Sequence, residues 1–310
     1  LKSIALIPLA LVLGSCGKYG EFTLPPPDAA GPKGPFHWEA SPDPVLSPGD
    51  WDSSDVLNPS VVRFKGQYWS LYSGYDGRTW STGVATSSDG IHWIKQGRIL
   101  SPDAGNGSAV VVGDQIFYWY QTGSLVQIAL AKSADWSKSE IVLKTGPRGS
   151  WDEMGVADPY AIVRSGEFYL YYLGMDRARR QRLGVARSKD GVVWEKLVSN
   201  PIMELGDSGA FDEMGLGEPA VWSSGGSYWM LHTGRARGEK RRIGLEKSPD
   251  GIHWTREPLI MEGTQPWDKE VVCDPTVDVM PDEVRVWFGG GDVRSPDQGL
   301  HGQIGFGVLR

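Results

Sequence analysis

Three acid–proline pairs fall at one register of the chain: Asp158-Pro159, Glu218-Pro219 and Asp274-Pro275. Each stands seven residues after an aromatic–Asp pair, namely Trp151-Asp152, Phe211-Asp212 and Trp267-Asp268, and each opens a strand-like run. A further copy, Trp51-Asp52, leads at the same distance to Asn58-Pro59. Carboxyls gathered in one pocket raise one another's pKa. One can then stay protonated and donate to a leaving oxygen, while another, ionised, acts as base or nucleophile. Cleaving an acetal needs that division of labour. The structural alternative has each acid capping backbone N–H groups where its repeat begins. Against it, one copy alone uses the longer Glu. A repeat has no need of that, whereas a carboxyl that must reach further does.

The elements that position these residues are repeated too. Counting from the first residue of each pair, Gly74, Gly174, Gly234 and Gly290 share an offset of sixteen. A degenerate fifth member starts at Gly107-Ser108 and reaches Gly123 at that offset. Between these marks run β-branched and aromatic hairpins, such as residues 61–64 with 67–72 and 161–163 with 168–172. Turns with Asp-Gly follow at Asp89-Gly90, Asp190-Gly191 and Asp250-Gly251, each with a Trp three residues beyond the Gly. Four antiparallel strands per unit, spaced by roughly 45–60 residues, predict a β-propeller blade. The last copy shows three strands. Residues 36–39 and 45–46 resemble the fourth-strand stretch at 91–93 and 99–100. The expected fold is therefore all-β: a five-bladed β-propeller over 36–310, its ring closed by 36–47 completing the fifth blade.

That topology places Asn58, Gly107, Asp158, Glu218 and Asp274 in a ring at the top of the axis. Trp51, Trp151, Phe211 and Trp267 form one rim, either stacking on sugar faces or packing between blades. The loops 75–81, 175–182, 235–242 and 291–301 form the other. Two of these loops are basic in an acidic chain, and Arg177 and Arg235 lie nearest their strand ends. Arginine suits bidentate recognition of carboxylate, sulfate or phosphate, so an anionic substrate is one expectation. His232 and His301 are candidate funnel residues. Asp292 lies near His301, but no ligand spacing there supports a metal site.

Hydrophobic content of 40%, charged content of 22%, Trp at 14 and Gly at 41 suit a globular chain of many short strands. The net charge of -7 argues against a nucleic-acid binder. At the N-terminus, Lys2 precedes an apolar run from Ile4 to Leu13, too short to span a membrane. Leu13-Gly14-Ser15-Cys16 resembles the bacterial lipobox. Residues 1–15 then read as a lipoprotein signal peptide and Cys16 as the lipid-modified anchor, with the outer membrane favoured because no Asp follows. The Pro/Gly-rich stretch 16–35 reads as an extended tether. With Cys16 acylated, Cys273 has no disulfide partner.

The blade motifs, the acid–proline strand starts and the Asp-Gly turns together resemble the five-bladed propeller glycosidases: glycoside hydrolase family 43 and its relatives 32, 62, 68, 117 and 130. The resemblance covers nearly all of 36–310. It implies that Glu218 is the general acid and that Asp158 tunes its pKa and orients substrate. The departure is in blade one. Family 43 has an Asp general base there, and families 32 and 68 an Asp nucleophile, where this chain has Asn58. Three readings stay open. Asp274 serves as base or nucleophile, Asp55 or Asp52 reaches in, or the protein only binds glycans. The implied activity is surface-anchored hydrolysis of an oligo- or polysaccharide by a monomer. A phosphorylase or transferase on the same scaffold is the alternative. No cofactor is expected, although relatives carry structural Ca2+ on the axis.

Overall fold

The computed structural model describes residues 18–123 and 127–310; residues 1–15 and Cys16, expected as signal and anchor, lie outside them. Five blades of four antiparallel strands make up the chain. Blade one comprises Asp55–Phe64, Gln67–Tyr75, Trp80–Ser87 and Ile94–Leu100; blade two comprises Ala104–Val112, Gln115–Thr122, Gln127–Lys132 and Asp135–Lys144. Blade three comprises Gly155–Arg164, Glu167–Met175, Gln181–Ser188 and Glu195–Leu197; blade four comprises Gly215–Ser224, Ser227–Arg235, Arg241–Ser248 and Thr255–Met261. Blade five takes Val271–Val279, Val284–Gly291 and Gln303–Leu309. Its fourth strand is Trp38–Ala40, antiparallel to Gln303–Leu309, and Leu46 bridges Ile304 further along. The innermost strands pack side by side in order, and the last packs against the first. The ring closes as expected, by 36–47.

The Asp-Gly turns are latches between blades. In the first, Ser87 Oγ accepts the Gly90 N–H and Asp89 Oδ1 accepts the Ile91 and His92 N–H groups, all at 2.9 Å. Gly90 is left-handed at φ 83, which an L side chain resists. Its carbonyl accepts the indole N–H of Trp287, on blade five, at 2.6 Å. The same contact runs from Trp119 on blade two to Gly191 on blade three at 2.8 Å, and from the Tyr171 hydroxyl on blade three to Gly251 on blade four at 2.9 Å. A Cβ on Gly90 or Gly191 would come within 2.8 or 2.7 Å of the facing indole. The turn sequence thus serves both the hairpin and the seam beside it.

The expectation of a free tether over 16–35 is corrected for its described part. Lys18–Gly20 pairs parallel with Glu195–Leu197 on the outer edge of blade three. Phe22 and Leu24 are buried in the cluster that holds Tyr169, Tyr171, Tyr228 and Ile252. The Tyr228 hydroxyl donates to the Pro25 carbonyl at 2.7 Å, and Asp28 pairs with Arg164. The Gly225 and Gly226 N–H groups donate to Ala30 and Asp28 carbonyls at 2.9 and 2.7 Å. Phe36 then meets Trp229 edge-on at 4.8 Å. The stretch is extended, as its prolines dictate. It nevertheless runs as a belt from blade three across blade four to the strand that seals blade five.

Candidate active site

Every innermost strand carries a bulge at the same level. Pairing with the second strand jumps between Leu57 and Ser60, Gly105 and Ser108, Ala157 and Tyr160, Gly217 and Ala220, and Cys273 and Thr276. The first bulged residue is left-handed each time: Asn58, Asn106, Asp158, Glu218 and Asp274, with φ of 49, 45, 47, 52 and 55. A bulge re-aims its side chain, here toward the axis. Asn and Asp tolerate this conformation best, which explains four of the five residues. Glu gains no such relief, and a strained backbone position costs on the order of 1–3 kcal/mol. The position of Glu218 therefore bears a cost that Asp would largely avoid.

The blade-two member of the ring is Asn106, and the expectation of Gly107 is corrected by one residue. Gly107 occupies the place of the prolines. Thr122, paired with Ala104, takes the place that Gly74, paired with Val56, holds in blade one. The reason lies in the aromatic–Asp motif. Trp51 packs flat on Gly74 and Gly83, and a Cβ on either would lie 2.6 or 2.4 Å from the indole. Trp151, Phe211 and Trp267 do the same on their own blades. Blade two lacks the aromatic, so it needs no glycine. Alignment of Leu57-Asn58-Pro59-Ser60 with Gly105-Asn106-Gly107-Ser108 carries the signal: Ser60 and Ser108 Oγ each accept the N–H of the next blade's strand, from Ala109 at 2.7 Å and Ala161 at 2.9 Å.

The ring residues are linked through the backbone. Glu218 Oε2 accepts the Asp274 N–H at 3.0 Å, and Asp274 Oδ2 accepts the Asn58 N–H at 3.1 Å. Asp158 Oδ1 accepts the Asn106 amide at 3.1 Å, and its carboxylate also takes the Glu218 N–H. Asp158 and Asp274 are buried, 7% and 5% exposed, whereas Glu218 is half-buried. Burial first, then the charge of Glu218, pushes Asp158 up to about 7 and raises Asp274 well above the usual carboxylate range. Glu218 and Asp274 bring carboxylate oxygens within 4.8 Å of each other.

This has a consequence for stability. An Asp raised from 3.8 to about 7 favours the folded state while it is protonated in both states. That contribution is whole below about pH 4 and is lost as pH rises through about 7. Asp158→Asn should therefore flatten the fall of Tm between pH 5 and pH 8. A Tm–pH curve parallel to wild type would remove the carboxyl from this role.

Several expected site residues lie elsewhere. Asp52 is buried and accepts from the Tyr72 hydroxyl at 2.9 Å and from Lys95 Nζ at 2.6 Å. Asp55 caps the Gly299 and Gly302 N–H groups at 2.7 and 2.8 Å. Neither lines the funnel, so the expectation that one reaches in is corrected. Of the two readings of Trp51, Trp151 and Trp267, stacking on sugar faces is corrected: each packs, against the glycines of its own blade. His232 is fully buried, with ring nitrogens 3.7 and 3.8 Å from Asp212 and Glu246. It fills the slot that Tyr72 and Tyr172 fill beside Asp52 and Asp152. Arg177 is exposed and pairs with Glu153 at 3.1 Å; His301 is exposed and contacts Asp292 at 2.8 Å.

A cleft of about 440 Å³ opens above the ring. Asn58, Asn106, Asp158, Glu218, Asp274 and Arg235 line it, as the strand order requires. It also takes in Trp80, Gln181, Arg241 and the 296–298 segment, which belong to the rim loops expected at this end though none was singled out, and Asp103 and Gln121, which sequence reasoning missed. Trp80, tilted at 32° against Tyr75 with ring centroids 5.0 Å apart, is the aromatic side chain among those lining the cleft. Arg241 Nη2 donates to the Ser295 carbonyl at 3.0 Å and also to that of Pro296, which holds the blade-five loop over the opening. Only a side chain's orientation separates Arg241 from its basic neighbours, and sequence does not carry that.

Ca2+ does not fit here. Among the described residues, the metal-ligating types that converge are Glu218, Cys273 and Asp274. Calcium wants six to eight oxygens. Burial keeps the Cys273 thiol protonated, and the charge of Arg241 bears on both carboxyls.

A family model described as the glycosyl hydrolases family 32 N-terminal domain matches residues 58–273, starting at ring residue Asn58. The chain is similar to an uncharacterized protein of Mycobacterium tuberculosis, 31% identical over 161 residues that make up 48% of this chain and 52% of that one. It thus spans about half the length of the curated relatives it matches. Among solved structures it is similar to a glycoside hydrolase, with TM-score 0.67 and 16% identity over 92% of each chain. It is also similar to a β-1,2-mannobiose phosphorylase from Listeria innocua, with TM-score 0.68 and 12% identity over 89% of this chain and 97% of that one. A GH62 α-L-arabinofuranosidase catalytic domain from Coprinopsis cinerea gives 0.66 and 13% over 91% and 98%. At such identities the likeness is one of fold.

Proposed function

The chain belongs to the glycosyl hydrolases family 32 N-terminal domain family, and on that premise we propose that it cleaves a glycosidic bond in the cleft above the ring, with Glu218 as general acid. The observation that carries this reading is the placement of Glu218. It is the most open of the three ring carboxyls, it keeps a strained backbone, and it lines the cleft. A carboxyl so placed can give its proton to the leaving oxygen. Asp158 acts as positioning residue, through the Glu218 N–H that it accepts. Asp274 is a poor base, because burial holds it neutral and its oxygens lie too near those of Glu218 for an activated water between them.

Trp80 supplies a stacking face, and Asn106, Gln121 and Gln181 supply hydrogen bonds to sugar hydroxyls. The substrate is an oligo- or polysaccharide. A lipid on Cys16 would hold the enzyme at the cell envelope, in the outer membrane on the lipobox reading. The test is release of sugar from a panel of oligosaccharides and aryl glycosides, with and without inorganic phosphate. Turnover of at least one is expected. Silence across the panel under both conditions would leave a glycan-binding protein in place of an enzyme.

A further inference from the structure

We infer that Arg235 and Arg241 form an oxyanion subsite beside Glu218, an inference that rests on reading this cleft as the place of glycosidic cleavage. The two residues face each other across the second and third strands of blade four, and both line the cleft. Neither guanidinium is used up by the fold. Among the described residues the Arg235 side chain has no hydrogen-bond acceptor: its nearest carboxylate oxygen, on Glu239, is 3.6 Å away, and its Nε is shut off from solvent unpaired. Both hydrogen bonds of Arg241 leave from Nη2, so its Nε and Nη1 donors are unspent. Arg241 feels the charge of Glu218 and Asp274, whose Oε2 and Oδ2 accept the Asp274 and Asn58 N–H groups, but its two side-chain hydrogen bonds go to the Ser295 and Pro296 carbonyls and to neither carboxylate.

Each guanidinium carries five donors in a planar fork that matches carboxylate, sulfate or phosphate. Donors left unpaired in a partly closed cleft are costly, and an anion that spans both forks removes the cost. The ring suggests why an anion belongs here. Asn58 stands where a fourth carboxylate could have been, and its amide cannot take a proton from water. A phosphate dianion needs no base. Its oxygen bonds to the anomeric carbon as the glycosidic C–O bond breaks with its electron pair. The Glu218 proton passes to the leaving oxygen, and the phosphate's own proton restores Glu218, giving a sugar phosphate and a free alcohol. The same two forks would instead seat a carboxylate or sulfate carried by the sugar, with water as acceptor.

The experiment is calorimetric titration of the full chain, wild type and Arg235→Gln, with inorganic phosphate, with glucuronate and with glucose as control. At least one anion is expected to bind wild type, with affinity reduced tenfold or more in Arg235→Gln and no change toward glucose. Arg241→Gln is read beside its Tm, since it also releases the blade-five loop. Turnover that depends on phosphate and yields a sugar phosphate assigns phosphate. Phosphate-independent cleavage of uronides in preference to neutral glycosides assigns the acid group of the sugar. Wild type binding neither anion, or binding them no better than Arg235→Gln, overturns the subsite. Glu218→Gln keeps the anion affinity if the subsite holds, so an error about the acid shows separately, as turnover that survives that substitution.

Discussion

Glu218→Gln lowers kcat on an unactivated glycoside by a factor of roughly 10²–10⁴, the range of a positioned proton donor. That corresponds to about 3–5 kcal/mol of the barrier. The protein stays folded, because the amide oxygen of Gln can still accept the Asp274 N–H that Glu218 Oε2 holds at 3.0 Å. Only the proton is lost. An aryl glycoside with a strongly acidic leaving group needs little proton donation, so its rate falls far less. That contrast between substrates separates loss of an acid from loss of binding. The substitution also removes one of the charges that raise Asp158, whose pKa then falls below about 7 and moves the pH profile with it. Equal turnover by variant and wild type on the unactivated substrate would take the acid role away from Glu218.

The double substitution Phe22→Ala with Leu24→Ala lowers Tm by about 10 °C or more. Emptying a buried Phe and a buried Leu costs about 3–5 and 2–5 kcal/mol, and one kcal/mol moves Tm by roughly 2–4 °C in a domain of this size. Both side chains sit among Tyr169, Tyr171 and Ile252, at the end of the blades that carries the Asp-Gly turns. The cleft opens at the opposite strand ends, where Arg235 lies. Activity measured well below Tm should therefore stay near wild type. A tether would give no change in Tm at all, so a scanning calorimeter decides between the two pictures.

The difference between belt and tether shows what sequence could and could not convey. Pro and Gly between 24 and 35 dictate extended backbone, and extended backbone is found. Whether such a stretch hangs free or lies on a surface depends on partners such as Arg164 and Tyr228, far away along the chain. The repeat itself was legible, because each blade must bury the same faces and turn at the same places. Its one misreading came in blade two, where the Trp and Pro that mark the register are both missing, and Asn106 was passed over for Gly107. The aromatic rim stayed open between two readings for a related reason: a Trp seven residues before a ring acid looks the same whether it faces a sugar or covers two glycines. Glu218, Asp158 and Asp274 do meet at the axis, since a bulge at a fixed strand position leaves few directions for them. Arg241 could not be singled out, because its neighbours Lys240 and Arg242 share its chemistry and only the pleat turns it inward.

The pairing of Trp38–Ala40 with Gln303–Leu309 also orders events in time. Of the strands that seal the ring, Trp38–Ala40 precedes blades one to four in the chain and Gln303–Leu309 follows them, so one is synthesised well before its partner. Until residue 309 has left the ribosome, the outer edge of blade five and the inner face of blade one stay open. Such edges invite pairing with other chains. A growing chain can gather four blades early, but their seams stay under-constrained until Gln303–Leu309 arrives. The belt laid across blades three and four by residues 18–35 holds the early sealing strand close to where that last partner will appear. The loop closure that would otherwise span nearly the whole chain is thereby shortened to the reach of one blade.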